Sequence, residues 1–196
     1  MLQDNLFNYL IEGIVLKGND IVIVGGNHHN TLGVIRSIGQ RGVFPDVILL
    51  CNRQSSYVGH SRYIGRLHKV ESEEDILCEL LHRSRLGTKK QVVIACSDSL
   101  ASMLDQNYDI LSPHYYLPGI KTQGELTKLM NKATMCHIAS IIGLKVLDAW
   151  VVRNKVISPE IQYPCITKPL VSKNGDKSEI CICNDRYELL SFLERK

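Results

Sequence analysis

The chain has 196 residues, 44% hydrophobic and 22% charged, enough for one core or two small ones. A net charge of +3, from 23 basic and 20 acidic residues that are scattered rather than grouped, gives no reason to expect a nucleic-acid partner, and apolar runs such as 21–24 and 47–51 are too short to span a bilayer. The start, Met1-Leu2-Gln3-Asp4, lacks the basic region and apolar stretch of a signal peptide. A cytoplasmic location is therefore the default expectation, with the seven cysteines as reduced thiols outside any disulfide framework.

Along the chain, Asp20-Ile-Val-Ile-Val-Gly-Gly26 places four β-branched residues before a glycine pair and predicts a buried strand. A polar loop follows. Leu32, Ile35 and Ile38 then recur at helical spacing, with Asn30 or Thr31 available as N-cap and Gly42 as the stop. Val47-Ile-Leu-Leu-Cys51 is a second buried strand, which completes a right-handed βαβ unit. A helix is predicted over 71–84, with Ile76, Leu77, Leu80 and Leu81 inward. A strand follows at 91–96, ending in Ser97-Asp98, and then a short helix marked by Leu100, Met103 and Leu104. This alternation predicts a Rossmann-like, doubly wound parallel sheet.

The pattern changes near Pro118-Gly119, which sets the expected domains at 1–119 and 120–196, the second a small α+β unit rather than more of the parallel sheet. Helices are predicted at 124–130 and 132–142. In the second, Met135, Ile138, Ala139 and Ile142 form one apolar stripe, and Gly143 is the C-cap. Strands are expected at 149–152, 163–168 and 179–183. A final helix starts at Asp185 and Glu188, which have capping-box spacing, and turns Leu189, Phe192 and Leu193 inward. Cys181 and Cys183 alternate with Ile180 and Ile182, so they share a strand face. They read as a packed, reduced pair, because no nearby Cys or His pair completes a metal site.

Four features could carry chemistry. Gly25, Gly26, Asn27 and His28 join a strand to a helix, where backbone N–H groups point over the sheet edge. This is either a tight turn that needs glycine or a small-substrate pocket. The spacing departs from a dinucleotide fingerprint, and Cys51-Asn52-Arg53 offers no carboxylate for a ribose. His28 and His29 are neighbours and do not share a face for a joint metal site, though one of them could contact a carboxylate or phosphate. Ser97 and Asp98 stand at another strand's carboxyl end, where ligands collect, or Asp98 caps the next helix. Lys132 opens a helix, where the ordinary reading is a surface lysine whose stem covers apolar neighbours. Lys168 ends an apolar strand immediately before Pro169, and a charge there needs a partner. The loop after it supplies Ser172, Asn174, Gly175 and Lys177, residue types that wrap phosphates and that a plain hairpin also uses.

In order and spacing these features resemble the ATP-grasp superfamily, particularly its carbamoyl-phosphate-synthetase-like and carboxylate–amine ligase branches. The run Gly33-Val-Ile-Arg-Ser-Ile-Gly-Gln-Arg-Gly42, then Ser61-Arg-Tyr63 before Val70, and Cys96-Ser-Asp98 are similar to the domain that precedes the nucleotide-binding fold. Asn131-Lys132, Ile138-Ala139 and Gly143-Leu144 are similar to the opening of the ATP-grasp fold, with Asn131 where an Asp is common. Pro164-Cys-Ile-Thr-Lys168-Pro169 looks like its central lysine strand, and the following loop, with Gly175 as its one glycine, occupies the place of its phosphate-covering loop.

The resemblance implies an enzyme that uses ATP and magnesium to activate a carboxylate as an acyl phosphate for attack by an amine or other nucleophile. Lys132, Lys168, Ser172, Asn174, Gly175 and Lys177 would hold ATP phosphates. Gly25, Gly26, Asn27, His28, Ser97 and Asp98 would lie near the small-molecule substrates. The adenine hinge and the metal ligands of the family lie beyond Lys196, so a fragment is expected, with no metal site of its own, little affinity for ATP and no activity alone. A homodimer is compatible with the sequence. The rival readings are a non-enzymatic βαβ binding module with a small α+β cap, and a Rossmann-type nucleotide-binding enzyme.

Overall fold

The structure is a computed structural model that describes residues 20–51, 56–87, 89–119, 121–170 and 180–195. These form two compact units that divide between Thr127 and Lys128, and each is described by itself.

The first unit is built on a five-stranded parallel sheet in the order β3-β2-β1-β4-β5. The strands are β1 (Ile21–Gly26), β2 (Asp46–Leu50), β3 (Arg66–Val70), β4 (Gln91–Ala95) and β5 (Tyr115–Tyr116). The helices are α1 (His29–Gly39), α2 (Glu73–Leu86), α3 (Asp98–Gln106), α4 (Tyr108–Leu111) and the start of α5 (Glu125–Leu129), which runs across the division. Strand β1 is central, and alternation divides its side chains between two cores. Val22 and Val24 face Ile48, Val93 and the helical residues Ile76, Leu80, Leu100 and Leu104. Ile21 and Ile23 face Val47, Leu49 and the α1 residues Ile35 and Ile38. Helices therefore cover both faces, as expected for a sheet whose strands read as unbroken apolar runs.

The sequence reading did not expect β3, α4 or β5, and it placed the cap of α1 elsewhere. Strand β3, Arg-Leu-His-Lys-Val, was not expected, because its polar residues suit an exposed edge rather than a buried strand; four of its five residues are exposed. Helix α1 is capped by His28, whose Nδ1 accepts from the Asn30 amide at 3.4 Å, and not by Asn30 or Thr31. The helix ends at Gly39, and Gly42 takes a left-handed turn conformation (φ +82°) just after it.

An ion-pair group joins α2 to the sheet. Arg83 donates to Asp46 Oδ2 at 2.9 Å and to Glu79 Oε1 at 2.6 Å. Nearby, the buried Tyr115 hydroxyl donates to the Leu80 carbonyl at 2.7 Å. Burial pushes this phenol up to about 12; Arg83 opposes the shift and Glu79 adds to it.

The second unit contains α6 (Lys132–Ile141), the antiparallel pair β6 (Cys165–Thr167) and β7 (Cys181–Cys183), and α7 (Arg186–Glu194). Its core is Ile157, Cys183 and Leu189, with Tyr163, Cys165, Phe192 and Leu193 packed around them. The final helix follows the sequence reading. Asp185 accepts from the Glu188 amide at 2.8 Å, and Glu188 accepts from the Asn184 amide at 2.7 Å.

Gly143 (φ +81°) closes α6 with two bonds, Gly143 N–H to Ser140 O and Leu144 N–H to Ala139 O, the paired pattern of a glycine-terminated helix. The apolar stripe of α6 is not buried, however: Met135, Ile138 and Ile142 are exposed. The strand expected at 149–152 is absent from the described residues. An isolated bridge, Arg153 to Val156, is the pairing found just after it. Strand β6 is shorter than expected, since Pro164 and Pro169 bracket it and neither can donate to a ladder.

Candidate functional site

The chain leaves β1 through α1 toward β2 on one side and returns to β4 on the other. The carboxyl ends of β1 and β4 thus flank the point where the strand order reverses, the usual ligand crevice of an open α/β sheet. Val24 pairs with Ala95, and the Cys96 amide donates to the Val24 carbonyl at 2.9 Å. Gly25, Gly26, Asn27 and His28 therefore leave the sheet beside Ser97 and Asp98. The fold gathers these six residues at one edge of the sheet.

Their environments differ. Gly25 is required by packing: a Cβ there would lie 2.5 Å from Thr31 Oγ1, 2.6 Å from Thr31 Cγ2 and 3.1 Å from Cys96 Cβ. Gly26 has no atom within 4 Å of an added Cβ, so its place above the strand is open. Thr31 is buried and its hydroxyl makes no well-formed hydrogen bond; it faces the Cys96 thiol. Burial pushes that thiol up, and the Thr31 hydroxyl pulls it partway back.

The side chain of Asn27 is committed to the fold. Its Oδ1 accepts from Ser56 Oγ at 2.7 Å and from the Val58 amide at 3.3 Å. Ser56 Oγ accepts in turn from the Gly59 amide, and Ser56 O lies 2.6 Å from His60 Nδ1. Asn27 thus holds the segment after β2 against the end of β1. His28 and His29 are exposed with ring centroids 3.8 Å apart.

Ser97, and not Asp98, caps α3, accepting from the Leu100 amide at 3.3 Å. Asp98 is an exposed first-turn residue, where the helix dipole favours a carboxylate. The edge therefore joins two helix N-termini, which attract anions, with one carboxylate that attracts a cation.

In the second unit, residues 161–170 alternate between half-buried and exposed, and Lys168 falls on the exposed side with Ile166. Among the described residues Lys168 makes no ion pair. The half-buried Lys132 donates its backbone N–H to the Leu170 carbonyl at 3.1 Å, so the start of α6 adjoins the end of the Lys168 segment. Asn131, noted for standing where an Asp is common, works as the cap of α6: its Oδ1 accepts from Ala133 and Thr134 amides at 3.0 and 3.2 Å. Ser172, Asn174, Gly175 and Lys177 lie outside the described residues. Among the described residues no group of three or more His, Cys, Asp or Glu side chains could hold a metal ion, and no helix is long and apolar enough to cross a membrane.

One anchor escaped the sequence reading. Asp105 is buried and accepts from Leu126 N, Thr127 N and Thr127 Oγ1 at 3.3, 2.8 and 2.7 Å. These bonds hold α5 onto α3 and carry the first unit as far as Thr127. An acid beside the apolar residue Leu104 was the available signal, since a buried carboxylate needs donors.

Two concavities lie elsewhere. One of about 60 Å³, lined by Lys89, Lys90, Gln91 and Tyr115 among others, sits at the amino ends of β4 and β5 and is too small for a metabolite. A broader one of about 480 Å³ lies along β3 and α2, lined by His68, Lys69, Glu79 and His82 among others.

No protein-family profile matches the chain, and no curated protein matches it by sequence. Solved structures do match by fold, among them two ATP-grasp ligases. An L-amino acid ligase from Bacillus licheniformis aligns with a TM-score of 0.61 at 15% identity, covering 90% of this chain and 42% of its own. The ADP complex of N5-carboxyaminoimidazole ribonucleotide synthetase aligns with a TM-score of 0.60 at 20% identity, covering 88% and 42%. The chain has the mixed α/β fold of the N-terminal part of such ligases and spans about two fifths of their length.

Proposed function

We propose that the chain supplies the first domain and the lysine-bearing lobe of an ATP-dependent ligase that joins a carboxylate to an amine. The observation that carries this reading is the backbone bond from Lys132 to Leu170. It brings together the two lysine segments that the sequence had paired only by resemblance, in a chain whose fold neighbours include ATP-grasp ligases. Lys168, exposed and without a described acid beside it, fits a phosphate by charge, and Lys132 joins it from the first turn of α6. ATP would supply the phosphoryl group that turns the carboxylate into an acyl phosphate. In the first unit, the open surface over Gly26 and the first turns of α1 and α3 would take the carboxylate, with the exposed His28 beside it. Asp98 would hold the amine. Asn27, with its Oδ1 already engaged, positions the neighbouring loop. Magnesium, which neutralises phosphate charge in such transfers, is assigned to other parts of the whole enzyme.

Solvent screens two lysines on an open surface, so this chain alone should bind ATP with a Kd of about 1 mM or weaker and should not turn it over. Titration with ATP, followed through backbone amide resonances, tests this. Shifts are expected at Lys132, Lys168 and Leu170, and Lys168→Met should weaken them several-fold. Unmoved resonances at both lysine segments would sink the assignment. ATP turnover by this chain would show that it already holds a complete active site.

A further inference from the structure

The β6–β7 pair carries three thiols on one face. Cys165 stands directly opposite Cys183 in the antiparallel register, and Cys181 is opposite Thr167. Cys183 is fully buried, and Cys165 and Cys181 are half-buried against it. The other face holds Ile166 opposite Ile182, both exposed. All three thiols are free. Directly opposed residues in an antiparallel pair have Cα atoms about 4.5–5.5 Å apart, inside the range of about 4.4–6.8 Å that a disulfide spans. The diagonal from Cys165 to Cys181 is about 7–8 Å, beyond that range. Cys181 and Cys183 follow each other along one strand with parallel Cβ directions, nearly 7 Å apart, and cannot close on each other without bending the strand.

We propose that Cys165 and Cys183 form a reversible, redox-sensitive crosslink between β6 and β7, made by exchange with a low-molecular-weight disulfide such as oxidised glutathione. The partly accessible Cys165 reacts first. Its thiolate attacks one glutathione sulfur, a new S–S bond forms, and one glutathione leaves as its thiolate and takes a proton. Cys183 then gives up its proton and attacks Cys165 Sγ, expelling the second glutathione. Two thiols are oxidised by two electrons in total, and one glutathione disulfide is reduced to two thiols. Burial, followed by the Cys181 hydrogen bond and charge, pushes the Cys183 thiol up to about 11. Cys183 is therefore the resolving thiol, which reacts only once a mixed disulfide stands across the ladder from it. The crosslink would fix the spacing of β6 and β7 immediately before Lys168. It does not depend on the ligase reading, because its test measures thiols and not ATP.

The test uses the full 196-residue chain in glutathione buffers of increasing oxidised fraction, with free thiols alkylated, the chain digested and peptides mapped by mass. The expected product is a peptide pair linked through Cys165 and Cys183, about 2 Da lighter than the two reduced peptides together and separated by dithiothreitol. Cys181→Ser should retain the link. Cys165→Ser should abolish it. Cys183→Ser should leave a stable glutathione on Cys165, adding about 305 Da. Mapping of the unsubstituted chain decides even if a variant fails to fold. A link through Cys181, glutathione remaining on Cys165 in the unsubstituted chain, or two unreacted thiols when the exposed Cys78 is fully modified would each overturn the proposal.

Discussion

Replacing Gly25 by alanine tests how tightly the end of β1 is fitted to α1. The added methyl would sit 2.5 and 2.6 Å from the two branches of Thr31 and 3.1 Å from Cys96 Cβ, against an ordinary carbon contact of about 3.5–4.0 Å. Rotating Thr31 cannot clear the methyl, because both of its branches are already in contact range. The first turn of α1 must therefore retreat by about 1 Å. Overpacking of this kind costs about 1–3 kcal/mol. With about 4 °C of Tm per kcal/mol for a domain near 100 residues, the Gly25→Ala chain should melt about 8 °C below the parent. Thr31→Ala removes both branches and should cost only about 1 kcal/mol by itself. In the Gly25→Ala background it should restore most of the loss. Thermal unfolding of the four proteins, followed by circular dichroism, gives the coupling directly. A Gly25→Ala chain that melts with the parent, or a double variant no better than Gly25→Ala alone, would refute the close fit.

Two further perturbations probe other anchors. Asp105→Ala removes the acceptor of three hydrogen bonds. It should cost about 3 kcal/mol, with faster amide exchange at Leu126 and Thr127 as the local signature; Asp105→Asn, which keeps one oxygen, should cost less. The Tyr115 phenol is raised from 10 to about 12 in the folded chain. Above pH 10 the unfolded chain releases this proton and the folded chain keeps it. The stability is therefore full below pH 10 and declines as pH rises toward 12. Tyr115→Phe should flatten that decline in urea titrations at alkaline pH.

Strands β1, β2 and β4 were legible in the sequence because burial on both faces leaves long apolar runs. Helix α2 was legible from its apolar stripe, and α7 from its stripe together with a polar cap at a fixed offset. Strand β3 was hidden by the opposite condition, since an edge strand can be polar and still pair. The apolar run Ala149-Trp-Val-Val152 misled for a related reason: strand propensity forms no strand without a partner. At the candidate site, strand-end glycines and Ser97-Asp98 could be read from local spacing. The engagement of Asn27 by Ser56, and of Asp105 by Thr127, joins residues far apart in sequence, and no local pattern records it. His28 as a cap was missed because Asn and Thr are the commoner cap residues and two stood nearby.

The second unit buries few apolar side chains: among its described residues, Ile157, Cys183 and Leu189. Ile157 and Leu189 each contribute about 1.5–3 kcal/mol, while every ordered residue gives up about 1–2 kcal/mol of backbone freedom. Local opening of this unit should therefore require much less free energy than opening of the five-stranded sheet. In deuterium-exchange terms, amides of β6, β7 and α7 should label long before those of β1, β2 and β4. The segment that carries Lys168 would then be the first to become accessible to a protease or a chaperone and the first to gain protection when something binds it, which makes protection of these amides a sensitive screen for ligands.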